Sequence, residues 1–439
     1  MSQDPVAHYL SQYASRPAAA QAAWLVQQQD QAVESLRRNG FPTRRNEEWK
    51  YTDVQPLLKR DFNLPAIAAV TDATIQTQAQ IEGLDCYRML FVNGRLHSAD
   101  TINGQGVVIR SLRDALAADD QLLKPHLNRY LTPDNSSFTD LNTALLSDGC
   151  VILLADNAVL DKPLHLVFLA DPQVGAFACH PRNLFVLGKQ AEATVIETYT
   201  GSDATDYFTN TLTEISLGDG AVLEHYKLQQ EGRAGFHIGN VQVEQQRNSR
   251  LVSHSISLGG KLVRNDIDVR LNGAGAETVL NGLYITAGGQ HVDNHTRVDH
   301  LVPHTRSVET YRGVLAGRSR AVFNGKVVVH KDAQKTDAQQ SNANLLLSSE
   351  AEIDTKPELQ IHADDVKCSH GATVGQLDQN MLYYLRTRAI PEDLARSLLT
   401  FAFAGDVIRR MALAPVRQWL QQRVVGQLPD ADTIREFVR

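Results

Sequence analysis

Asn265-Asp266-Ile267-Asp268-Val269-Arg270-Leu271-Asn272-Gly273 carries the pattern that decides the fold. Ile267, Val269 and Leu271 alternate with Asp266, Asp268 and Arg270. That is the period of a strand with one buried face and one wet face. Asn272-Gly273 then ends the strand with residues that suit a tight turn.

Reading outward, the same texture runs from about residue 148 for more than 200 residues. Leu187-Gly188-Lys189-Gln190-Ala191, Leu217-Gly218-Asp219-Gly220-Ala221, Leu315-Ala316-Gly317 and Leu347-Ser348-Ser349-Glu350-Ala351 each close one alternating run and open another. Their spacing is irregular, about 25 to 45 residues, but strand, turn, strand recurs. Composition fits a β-sandwich equally well. Persistence of the pattern without a helical break favours a stacked β-solenoid. In such a stack no coil buries its inner face alone, so neighbours must pile up and the ends need caps or partners.

Both flanks differ. Ala22, Trp24, Leu25, Val33 and Leu36 share a helical face, and Asn39-Gly40-Phe41-Pro42 stops that helix. Short strands are expected around Asn93-Gly94, a hairpin-type turn, and another helical stretch over 111–130. Past Gly375 the period turns helical again. Pro391-Glu392-Asp393 opens a helix, and Leu394, Leu398, Phe401 and Ala402 recur at three- and four-residue steps. The expected organisation is therefore a mostly helical α+β domain over 1–147, a β-solenoid core over 148–378 and a helical domain over 379–439.

Composition narrows the function. The chain has 439 residues and a formal net charge of -7, which argues against nucleic acid as a partner. No apolar run approaches the roughly 20 residues of a membrane helix, and Met1–Leu10 lacks a basic-then-apolar leader. Cys86, Cys150, Cys179 and Cys368 are scattered with no C-x-x-C pair. This predicts a reducing, cytoplasmic setting and no complete metal–thiolate site within the chain. There is no G-x-x-x-x-G-K-[ST], G-x-S-x-G or H-E-x-x-H string.

Two constellations could carry chemistry. Cys368-Ser369-His370 on a strand would put a thiol and an imidazole on one face, about 6.5 Å apart. Both bind iron or zinc; a buried Cys beside a hydrogen-bonded His is the alternative. In His291-Val292-Asp293-Asn294-His295-Thr296-Arg297-Val298-Asp299-His300, with His304 nearby, a strand would line up His291, Asp293, His295, Arg297 and Asp299. That row reads as a satisfied polar ladder or a covered interface, with a metal-dependent hydrolase as the rival.

Longer strings carry a resemblance. Residues 291–307 (HVDNHTRVDHLVPHTRS), 311–348 (YRGVLAGRSRAVFNGKVVVHKDAQKTDAQQSNANLLLS) and 351–378 (AEIDTKPELQIHADDVKCSHGATVGQLD) closely resemble the SufB/SufD family. Arg45-Asn46-Glu47-Glu48-Trp49-Lys50-Tyr51-Thr52 and CSHGATVGQLD resemble its SufD type rather than SufB. Ala389, in RTRAI, stands where the family often has Gly. The resemblance implies a right-handed parallel β-helix between two helical terminal domains. It also implies a non-enzymatic scaffold subunit for iron–sulfur cluster assembly. Such a subunit pairs with SufB through the β-helix and binds the SufC ATPase through its helical carboxy-terminal region. Sulfur comes from a SufE- or SufU-type donor, and the subunit has a role in iron entry. Cys368 and His370 map onto the family's candidate cluster site at the SufB interface. The implied ligands are a transient Fe–S cluster or iron shared with SufB, with reduced flavin (FAD) associated with the complex. A SufB-like homodimeric scaffold, a purely structural partner of SufB and a β-helix carbohydrate-active enzyme are the competing readings.

Overall fold

The computed structural model describes residues 4–16, 22–65, 80–131, 137–171, 175–428 and 433–434. Parts of the expected terminal domains lie outside these residues. The chain builds two 10-stranded sheets that face each other. Each coil gives one strand to each sheet, and strands of successive coils pair in parallel and in register, as Leu262–Leu271 pairs with His291–His300. This is a parallel β-solenoid rather than a sandwich of hairpins.

One corner shows why the stack holds its register. Asn157, Gln190, Gly220, Asn248, Gly275, His304 and Lys335 all have positive φ. At each, the backbone N–H donates to a turn carbonyl of the next coil, as Gln190 does to Asp219 and His304 to Gln334. These positions recur about every thirty residues, the length of one coil. The turns read from sequence looked irregular because they came from both corners. Leu217–Ala221 and Leu271–Gly273 lie between different sheets in one direction, Leu315–Gly317 and Leu347–Ala351 in the other.

Strands that precede residue 148 join the two sheets. The hairpin Tyr87–Val92 and Arg95–Ala99 turns at Asn93-Gly94, as its sequence predicts. It adds to one sheet through Leu164–Ala170. Val107–Ser111 adds to the other, antiparallel to Cys150–Leu154. These strands form a cap over the first coil. Beneath it Phe91 stacks on Phe168 with ring centroids 4.9 Å apart, and Phe168 on Tyr199 at 4.8 Å.

Helical layers cover both outer faces. The amino-terminal helices Pro5–Ala14 and Ala23–Asn39, with Ser137–Ala144, bring Tyr9, Leu36, Phe62 and Phe138 against Phe208, Phe236 and Leu262. Gly40, at φ 65°, closes the helix Ala23–Asn39 by donating to the Leu36 carbonyl. On the other face, helices Glu392–Ile408 and Ala414–Val425 bury Val407, Ile408, Val416 and Leu420 against Ile196, Tyr226, Ile256 and Leu283. Each such side chain contributes about 1.5–3 kcal/mol when fully buried. Among the described residues no helix is long and apolar enough to cross a membrane.

The interior is not uniformly apolar. Buried Glu197 takes the Tyr199 hydroxyl and lies 3.1 Å from His225, while buried Lys227 donates to Asn265 at 2.5 Å. Burial pulls Lys227 down to about 8, against the pull of Glu197 and Glu231. The inward positions of these residues follow strand alternation, but their charge gave no warning of it.

Candidate functional site

Among the described residues the far end of the solenoid has no cap. Glu352–Ile361 and Lys367–Gly375 are the last strands of the two sheets, each paired on one side only among the described residues. Lys367–Gly375 is exposed almost throughout, in contrast to the fully buried strand Leu164–Ala170. An uncovered parallel edge of this length presents unpaired N–H and C=O groups, a template for another chain.

Cys368 and His370 both sit on this last strand. They pair in register with Ala338 and Gln340, whose side chains are buried in the interior. The two residues therefore share the inward face of a coil on which no described residue stacks another strand. Cys368 is half-buried and packs with Val327, Ala338 and Ala363. Burial raises its thiol above the ordinary range, against a backbone hydrogen bond from Ala338. His370 is exposed. Among the described residues no group of three or more His, Cys, Asp and Glu side chains converges as a metal site requires. The strand supplies a Cys/His pair on one face, and further ligands would have to come from outside it.

The second sequence constellation folds as the strand His291–His300. Its outward row is an ion-pair ladder closed by the chain's own amino-terminal motif. Asp293 takes Arg264 Nη1 at 3.0 Å and the Thr52 hydroxyl at 2.6 Å. His295 lies 3.0 Å from Asp293 and 3.4 Å from Glu48. Arg264 also donates to the Glu48 carbonyl at 2.6 Å, and Trp49 covers its guanidinium at 3.8 Å. Burial and Arg264 push His295 down, but Asp293 and Glu48 outweigh them and raise it to about 9. Burial works against Asp293, yet His295 and Arg264 hold its carboxyl far below the usual range. Glu47 extends the strap to Lys356, 2.9 Å away on the last coil. The motif and the histidine row, read separately from sequence, are two halves of one clasp. Nothing local in either string indicated the pairing.

Sequence reasoning also passed over Glu309 and Gln340. They occupy inward positions in the rungs beneath His370: Glu309 pairs with Gln340, and Gln340 with His370. Their signal was available, since a Glu and a Gln at buried positions of alternating strands break the apolar pattern.

The described residues thus form a two-sheet solenoid between helical layers, capped at one end and open at the edge that carries Cys368 and His370. The SufBD core domain of the SUF system for Fe–S cluster assembly matches residues 168–403, and the SufBD protein N-terminal region matches residues 5–166. The chain belongs to this family and is a homologue of SufD. It is 32% identical to the iron–sulfur cluster assembly protein SufD of Escherichia coli, over 92% of this chain and 93% of that one. It is 34% identical to an iron–sulfur cluster assembly SufBD family protein of Synechocystis sp., over 91% and 90% of the two chains. Against SufD of Bacillus subtilis the identity is 22%, over 91% and 92%.

Proposed function

We propose that this chain is a non-enzymatic scaffold subunit that pairs with a SufB-type subunit through its open solenoid end and helps assemble nascent iron–sulfur clusters there. The observation that carries this reading is the uncapped strand Lys367–Gly375, with Cys368 and His370 together on its inward face. A partner strand would satisfy the edge, and partner ligands would complete what two side chains cannot hold alone. His370 supplies or orients one ligand for iron at its entry, since neutral imidazole is a sound ligand for ferrous iron. Sulfur arrives from a SufE- or SufU-type donor acting on the complex, and reduced flavin acts in the complex rather than on this chain alone.

The SufC-type ATPase docks on the carboxy-terminal helices. Supporting this, helix Gln379–Arg386 leaves Met381, Tyr383 and Tyr384 exposed, with Tyr383 70% accessible. Deleting residues 390–439 would be a poor test, because it strips a hydrophobic layer from the solenoid. Tyr383→Ala with Tyr384→Ala should weaken SufC capture at least about tenfold, as loss of interface anchors does, while leaving folding unchanged.

The main test is the complex of this chain with SufB- and SufC-type partners. His370→Ala should form the complex and melt as the parent does, yet hold much less iron and sulfide. Normal cluster content in that variant would remove His370 from the site.

A further inference from the structure

The rungs under His370 contain an arrangement that solenoid packing does not require. Gln340 is 4% exposed, and its Nε2 donates to Glu309 Oε1 at 3.3 Å. Glu309 is 1% exposed and also takes the Thr296 hydroxyl, 2.5 Å away. The other amide atom, Gln340 Oε1, is buried and has no hydrogen-bond partner among the described residues. Leaving a buried acceptor unmet costs about 1–3 kcal/mol. Room for the amide is made by Gly325: a Cβ there would sit 2.2 Å from Gln340 Nε2. A long polar side chain is thus given space across the interior, and one of its ends is left without a donor.

The residue in register with Gln340 on the next rung up the ladder is His370, a donor. Rungs of a sheet are about 4.8 Å apart, so an imidazole N–H on the last coil can reach an amide oxygen one rung below. Resting on the reading of His370 as an iron ligand, we propose that Gln340 is its positioning residue: Oε1 accepts one ring N–H and so turns the other nitrogen's lone pair outward to the metal. Glu309 and Thr296 set the amide. A carboxylate beneath the amide takes its NH2 group, which leaves the oxygen as the end free for the last coil. Metal-bound histidines are commonly held in this way through the nitrogen that does not bind the metal. Among the described residues Glu309 forms no ion pair, and burial raises it to about 7.

The experiment uses the full chain in complex with its SufB-type partner. In a crystal structure of the metal-free complex, a His370 ring nitrogen should lie within hydrogen-bond distance of Gln340 Oε1. Gln340→Met keeps the length of the side chain and removes the acceptor. It should raise the ferrous iron concentration for half-loading about tenfold, the usual effect of losing such support. Gln340→Glu keeps an acceptor toward the last coil but can meet Glu309 only by sharing a proton with it, so it should restore loading in part. A His370 ring turned away from Gln340 in the complex would overturn the proposal whether or not the variants fold. So would Gln340→Met loading iron as the parent does while His370→Ala fails to load. If His370→Ala itself loads normally, the reading of the site falls, and the ring-to-amide contact in the crystal still decides the geometry separately.

Discussion

The two ends of the solenoid are built from the same strand pattern and finished in opposite ways. At the first coil the antiparallel strands Arg95–Ala99 and Val107–Ser111 turn the parallel sheets aside. Phe91, Met89, Cys150 and Ile152 are buried under them. At the last coil no antiparallel strand follows among the described residues, Val374 is 48% exposed, and Gly371 and Gly375 face open space. A capped end is finished within the chain. An open end keeps its hydrogen-bonding edge and inner face for something else, and such an edge is a liability unless it is covered. The helical layers repeat the contrast. They bury the outer faces of the middle coils, and the strap from Glu47 to Lys356 reaches the final one.

The sharpest way to break this comparison is to truncate one inward side chain at each end. Phe91→Ala should destabilise the isolated chain by about 3–5 kcal/mol, as large-to-small changes in a packed core do. Val374→Ala should change stability by no more than about 0.5 kcal/mol. Denaturant titration measures both. A comparable loss at Val374 would mean that the last coil is covered in the free chain.

The strap comes next. Arg264→Met removes the cation shared by Asp266 and Asp293 and should cost about 3–5 kcal/mol, because it takes from the buried Asp293 one of the two cations that hold it. Glu47→Gln breaks only an exposed pair and should cost less than about 1 kcal/mol. Denaturant midpoints that fail to separate the two variants would deny the buried clasp its role.

The clasp should also depend on pH. The pKa of His295 is raised in the fold to about 9, so its protonated form is the one the fold favours. Its contribution is complete below the ordinary histidine value of about 6.5 and is lost as pH rises through about 9. Lys227 acts oppositely, since its lowered pKa adds stability as pH rises above about 8. Comparison with His295→Gln cancels that term. Between pH 7 and 10 the stability advantage of the parent over His295→Gln should shrink by on the order of 1–3 kcal/mol. A constant difference across that range would mean that His295 does not carry the charge.

The smallest effect lies where the solenoid hands over to the helices. Ala389 has φ 62° and follows helix Gln379–Arg386, its N–H bonded to the Arg386 carbonyl. A Cβ is disfavoured in that conformation. Ala389→Gly should therefore raise stability by about 0.5–1 kcal/mol, read as a shift in denaturant midpoint. No gain would mean that the turn relaxes in solution.

Much of this was legible in the residues themselves. Alternation over Asp266–Leu271 named a half-buried strand, and the same period placed Cys368 with His370, and His291 with Asp293, His295, Arg297 and Asp299, on common faces. Asn93-Gly94 named its hairpin, and Gly40 its helix end. These are properties of neighbours in sequence, set by a two-residue strand period and by the conformations that Gly and Asn tolerate. Contacts between distant residues were not legible. Trp49 lying over Arg264, the hairpin at residue 93 closing the first coil, and Gln340 crossing to Gly325 join segments whose own patterns are complete without each other. Even the coil repeat stayed blurred until the two corners were separated. The sequence by itself determined the strands, the turns and which side chains share a face. Tertiary structure alone decided which coil is last, because register between coils is set by hydrogen bonds between strands about thirty residues apart, and no local pattern records where the stacking stops.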